Sequence, residues 1–146
     1  MWYEKLVSSL NDWSLIITPA AVVTGGCIVG WLRSPGKDPH KRSSFQPPGW
    51  VFGVVWPTLY TSIGYVLAKS NFETAIVVNV IANYSWPFVF SWDTRLAAML
   101  LGAMAGQTTW LASRHTLLIP YSLWLWFALL LNLDVASKPD NPKSRA

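Results

Sequence analysis

Apolar residues fall along this chain in five long runs, at roughly Trp13–Leu32, Trp50–Ala68, Thr74–Trp92, Leu96–Ser113 and Thr116–Val135. Each is near the ~20 residues a helix needs to cross a ~30 Å hydrocarbon core. The runs are continuous and lack the alternation of a membrane strand, so they predict helices rather than a barrel. The pattern predicts an all-α integral membrane protein, a single five-helix bundle over residues 1–146. The connectors 69–73, 93–95 and 114–115 are short, which should set consecutive helices antiparallel and side by side. The segment 33–49 is polar, basic and rich in Pro and Gly, and is long enough to form a lid over one end. The tail 136–146 is polar and is expected to fray.

Composition supports the membrane reading. The chain is 52% hydrophobic and 12% charged, whereas a soluble domain carries about 25% charged residues. Ten Trp residues point to interfacial anchoring or to a pocket that grips a flat ligand. The formal charge of +4 sits in short connectors, which suits an anionic lipid surface better than nucleic acid. With five spans, one side holds three Lys/Arg (Lys5, Lys69, Arg114) and the other holds eight. That imbalance predicts a cytoplasmic first loop and C-terminus. It does not separate a bacterial inner membrane from a eukaryotic organelle membrane. Glu4, Lys5 and Asp12 give a mixed-charge start before a run longer than a signal-peptide core, so no cleaved signal is expected. Cys27 is the single cysteine and reads as a small buried packing residue. His40 and His115 lie in connectors, so neither a metal site nor a cofactor is expected.

Three clusters carry the candidate chemistry. Phe52, Trp56 and Tyr60 are spaced by four and share a helical face, just after Pro47-Pro48-Gly49-Trp50. They form either an interfacial packing ridge or one wall of a pocket. Asn79 and Asn83 share a face of the third run, followed by Trp86 and Pro87. An amide in hydrocarbon must find a partner, so both should point inward, toward another helix or a ligand. On the fifth run Tyr121, Trp124, Ala128 and Asn132 form a stripe, while Trp126 points elsewhere, and Gln107, Thr108 and Thr109 add polar atoms from the fourth. Gly26/Gly30 and Gly102/Gly106 are small residues four apart, serving either packing within the bundle or a dimer seam. No run has an acid, Lys or Arg at its middle, which argues against a proton pump, an ion-coupled transporter or a voltage sensor. No hydrolytic triad or phosphate loop is visible. The remaining chemistry is an aromatic cavity with a few amides and hydroxyls, suited to a flat or rigid apolar ligand.

The stretch Phe45-Gln-Pro-Pro-Gly-Trp-Val-Phe-Gly-Val-Val-Trp56, running on to Tyr60 and Gly64-Tyr65, resembles the first-loop and second-helix motif of the translocator protein family, also called the tryptophan-rich sensory protein (TspO) or peripheral benzodiazepine receptor family. Asn83-Tyr-Ser-Trp86-Pro87 and Ile119-Pro-Tyr-Ser-Leu-Trp124, with Phe127-Ala128 and Asn132, are similar to its third- and fifth-helix motifs, and Pro19 with Gly25-Gly26 to its first helix. The resemblance implies a five-helix bundle, often a homodimer, with a pocket closed by the first loop. It implies binding of porphyrins such as protoporphyrin IX, of sterols, and of benzodiazepine or isoquinoline ligands. The pocket implied by motif is Trp50, Trp56, Tyr60, Asn83, Trp86, Trp124, Ala128 and Asn132. Some bacterial members degrade protoporphyrin in light through two pocket tryptophans, matched here by Trp56 and Trp124. The chain departs from the family at its sterol motif: Leu131–Lys138 has no Tyr and carries Asp134. It also has Leu96 and Ala97 where animal members place a tryptophan. Three functions follow in order: a membrane receptor, sensor or carrier for porphyrin-like molecules; a light-dependent porphyrin-degrading enzyme; and an assembly element whose motifs serve only helix packing.

Overall fold

A computed structural model describes residues 1–33 and 41–139. Among these residues all regular structure is helical: α1 (Trp2–Leu32), α2 (Gly49–Lys69), α3 (Thr74–Trp92), α4 (Thr94–Arg114), a 3-10 turn (Thr116–Leu118) and α5 (Ile119–Ser137). The part of the expected lid at 34–40, with His40, and the tail from 140 lie outside the described residues.

Local chemistry sets the boundaries. Pro48 precedes the first turn of α2, and Pro120 sits in the first turn of α5, where a missing N–H costs nothing. The Asp93 carboxylate caps α4 by accepting from the amides of Arg95 and Leu96 at 2.8 and 3.1 Å. The link after α2 turns through Asn71 and Phe72, both left-handed at φ 56° and 59°. α1 begins at Trp2, not at Trp13. Its polar first turns interrupt the apolar run but not the helix, and at its start the Glu4 carboxylate accepts from the N-terminal amine at 2.8 Å. At 31 residues α1 is about 46 Å long, so it reaches beyond a ~30 Å hydrocarbon core.

Four stretches are long and apolar enough to cross a bilayer: Trp2–Leu32, Gly49–Lys69, Thr74–Trp92 and Thr116–Ser137. The fifth expected span, α4, is less apolar, since Gly, Gln and Thr residues replace aliphatic ones along it. It is nonetheless well enclosed, with Ala97, Leu101, Ala105, Thr108 and Leu111 almost fully buried.

The extensive packings are α1 on α2, α4 on α5 and α3 on α4. Shorter contacts of α3 with α1 and of α2 with α5 complete a ring in the order α1, α2, α5, α4, α3. α2 and α3, joined by four residues, meet over a stretch as short as that between α2 and α5, at Tyr60, Asn83 and Tyr84. The expectation that chain neighbours pack side by side is met extensively by α1 with α2, α3 with α4 and α4 with α5, and only briefly by α2 with α3, which both line the cavity.

The closest approach is α1 against α2. A Cβ on Gly64 would stand 2.4 Å from the Pro19 Cα, and one on Gly26 would enter the Tyr60 ring. Gly26 therefore serves packing within the bundle. By contrast a Cβ on Gly106 would meet nothing within 4 Å, and one on Gly102 would only graze Leu129 at 3.9 Å. Cys27, expected to be buried, is exposed.

Candidate functional site

A cavity of about 530 Å³ lies within the ring, and all five helices contribute to its wall. Its size is that of a small-molecule site. From α2 come Phe52, Gly53, Trp56 and Tyr60; from α3, Asn83, Trp86 and Phe90; from α5, Trp124, Ala128, Leu131 and Asn132. α4 adds Leu101 and Met104, and α1 presents Gly26, Cys27 and Gly30.

The aromatic wall is continuous. Trp56 stacks on Tyr60 with centroids 5.4 Å apart and planes at 28°. Trp124 meets Trp56 edge-on at 6.3 Å and 89°. Phe52 lies on the same face of α2 as Trp56 and Tyr60, as its spacing predicts, and packs edge-on against Trp124 at 5.6 Å. Edge-to-face pairs at these distances add attraction beyond burial and hold the rings in place.

The polar side chains are largely committed to one another. Tyr60 donates to Asn83 Oδ1 at 2.8 Å, and Asn83 Nδ2 donates to the Tyr121 hydroxyl at 2.9 Å. Tyr121 then donates to Asn79 Oδ1 at 2.6 Å. Asn79 Nδ2 donates to Gln107 Oε1 at 2.9 Å, and Gln107 Nε2 to the Ala75 carbonyl at 3.0 Å. This relay stitches α2, α3, α5 and α4 together, with each link passing a donor to the next acceptor. Nearer the other end, Trp86 Nε1 donates to Asn132 Oδ1 at 3.2 Å, and Asn132 Nδ2 to the Thr94 carbonyl at 2.8 Å. Among the described residues one buried side-chain nitrogen or oxygen has no partner, the indole N–H of Trp124.

Seven of the eight residues expected at the site line the cavity: Trp56, Tyr60, Asn83, Trp86, Trp124, Ala128 and Asn132. Trp50 does not. It is 72% exposed at the start of α2, on the outside of the bundle, because it lies six residues before Trp56 and so falls on another helical face. Trp126 also faces outward, 46% exposed, with its N–H on Thr109 Oγ1 at 2.9 Å. Sequence reasoning missed the α4 contributors Leu101 and Met104, which carry no signal beyond apolarity. It also missed Cys27, and Arg33, Lys41 and Arg42 at the cavity mouth.

That mouth lies where α1, α3 and α5 end and α2 and α4 begin. Residues 41–48 strap across it. Lys41 Nζ donates to the Ser91 carbonyl at 2.8 Å at the end of α3. Asp134 on α5 accepts from Ser43 Oγ at 2.7 Å and the Ser44 amide at 2.9 Å.

The TspO/MBR family pattern matches residues 17–137, most of the chain. The chain belongs to the TspO/MBR family. It is 31% identical to the translocator protein homolog of Schizosaccharomyces pombe, over 90% of this chain and 94% of that protein. It is 32% identical to the translocator protein of Homo sapiens, over 75% of this chain and 81% of that one. It is 26% identical to the tryptophan-rich sensory protein of Cereibacter sphaeroides, over 92% and 98% of the two chains. Family membership and the apolar helices make this TspO/MBR protein a multi-pass integral membrane protein.

Proposed function

We propose that this protein is a membrane receptor, sensor or carrier for a flat, mainly apolar molecule of the porphyrin class, held in the five-helix cavity. The observation that carries the reading is a chamber of about 530 Å³ enclosed by all five helices and walled by Phe52, Trp56, Tyr60, Trp86 and Trp124. Stacked Trp56 and Tyr60 offer a planar face to a planar ring system. Names borne by relatives, translocator and tryptophan-rich sensory protein, fit a binding role.

The test is titration of protoporphyrin IX into purified protein, followed by tryptophan quenching, with Trp124→Phe alongside. Phe keeps an aromatic ring but removes the pyrrole half of the indole, and with it part of the chamber wall. We expect saturable quenching that weakens about tenfold in the variant, the ~1.4 kcal/mol of the lost aromatic contact. Linear quenching, indifferent to the substitution, would reject the site. A sterol or isoquinoline that displaces the porphyrin would widen the ligand class without moving the site.

One geometric fact favours a second reading, light-driven porphyrin degradation. The indoles of Trp56 and Trp124 stand 6.3 Å apart in the same wall, close enough to share an electron vacancy if one of them gives up an electron to an excited macrocycle in the chamber. Illuminating the complex should then bleach the porphyrin band. Equal bleaching with Phe at both positions would eliminate this reading.

A further inference from the structure

The chamber leaves a polar ligand few places to bond. Tyr60, Asn83, Trp86 and Asn132 already spend their groups on one another and on Tyr121 and Thr94. The remaining side-chain polarity of the lining is concentrated at the mouth, where its charged part is cationic: Arg33, Lys41 and Arg42 line the cavity beside Gln46.

The acids at this end are occupied. Asp93 caps α4. Asp134 accepts from Ser43 and Ser44 and lies 3.5 Å from Lys138 Nζ. Lys41 is tethered to the Phe90 and Ser91 carbonyls. The two guanidinium groups differ: neither Arg33 nor Arg42 has a carboxylate partner among the described residues. Arg33 stands over the Phe88 ring at 5.7 Å from its centroid. The strap, fixed to α5 through Ser43, Ser44 and the Arg42 carbonyl (2.7 Å from Lys138 Nζ), holds Arg42 beside the opening. Two guanidinium forks with no carboxylate partner among the described residues, at the rim of an apolar chamber, match an oxyanion carried on an apolar body.

We propose that Arg33 and Arg42, with Lys41 behind them, bind the carboxylate end of an amphiphilic acid whose rigid apolar part fills the aromatic chamber. The inference rests on the chamber reading above and adds a charge requirement to it. Neutral ligands of the same shape can enter but forgo the charge-assisted bonds at the rim. An anionic lipid headgroup carries similar chemistry and is the competing occupant.

Protoporphyrin IX has two carboxylates, and its dimethyl ester has the same ring and none. Both should be titrated into the protein in nanodiscs of phosphatidylcholine, using wild type, the double variant Arg33→Gln/Arg42→Gln, and Trp124→Phe. We expect wild type to bind the diacid about tenfold more tightly than the diester. That preference should fall to about twofold or less in the double variant and shrink as salt is added. Unchanged diester affinity in the double variant shows that its chamber is intact. Equal affinities for diacid and diester in wild type would overturn the inference. So would a preference that survives the double variant. If both forms bind equally and both weaken in Trp124→Phe, the chamber stands and the anion site falls. If neither form binds saturably, both fall. Nanodiscs containing phosphatidylglycerol separate the two anion sources. Loss of the diacid preference there would assign the rim to a lipid phosphate and overturn the ligand-carboxylate assignment.

Discussion

Tyr121 does not line the cavity, yet two amides near it depend on its hydroxyl. It accepts from Asn83 and donates to Asn79, so Tyr121→Phe strands a donor and an acceptor at once. We expect a loss of about 2 kcal/mol or more, since each stranded buried group costs roughly 1–3 kcal/mol. Thermal unfolding in detergent measures it. Tyr84→Phe is the comparison, because it removes one bond, to the Val22 carbonyl. Asn79 and Asn83 are four residues apart, which made their shared face legible in the sequence. Their partners were not legible, because Tyr121 and Gln107 come from distant segments. Glycines show the same divide. Gly64→Ala puts a methyl 2.4 Å from the Pro19 Cα, on backbone that cannot swing aside. It should destabilise by about 1–3 kcal/mol, the usual cost of overpacking. Gly106→Ala, with open space around the added methyl, should stay within about 0.5 kcal/mol of wild type.

Between elements, the end opposite the mouth is tied by charge. Glu73, just before α3, accepts from the Arg114 guanidinium and lies 2.9 Å from His115 Nε2, joining the α2–α3 link to the α4–α5 connection. The bond to His115, then that to Arg114, holds the Glu73 carboxyl below its ordinary value of 4.5. A lowered folded-state value means that the stabilisation is fully present above about 4.5 and is lost as pH falls through the lower folded value. We therefore expect wild type to lose more thermal stability than Glu73→Gln as pH is lowered from neutrality toward 3. Parallel loss in the two proteins would show that the clasp contributes nothing. The chain order Glu73, Arg114, His115 shows charged connectors, but only the fold brings two of them to one place.

For the whole molecule, the ring order and the cavity set what can be probed. Cys27 is the chain's single cysteine and lines the cavity. A small maleimide should label it in the empty protein, and saturating protoporphyrin should slow the labelling several-fold, read by intact-mass spectrometry. Unchanged rates would put the ligand elsewhere. The excess of Lys/Arg around the mouth leads us to place that end in the cytoplasm. In a Cys27→Ser background, a cysteine at Ser137 should react only with cytoplasmic reagent, and one at Ser8 only with reagent from the other side.

The helical membrane class and the approximate spans were set by the sequence itself, and the motifs shared with the family pointed to seven of the cavity-lining residues. Hydrophobic length and four-residue spacing are local properties, and a lipid solvent enforces both. The tertiary structure alone decided that α2 and α3 meet only over a short stretch although a short link joins them. It also decided that α1 turns an exposed Cys27 toward the cavity, that Trp50 leaves the site, and that Trp124 is the donor without a partner. Those facts depend on which helices meet across the ring, and spacing within one helix carries no information about its partners.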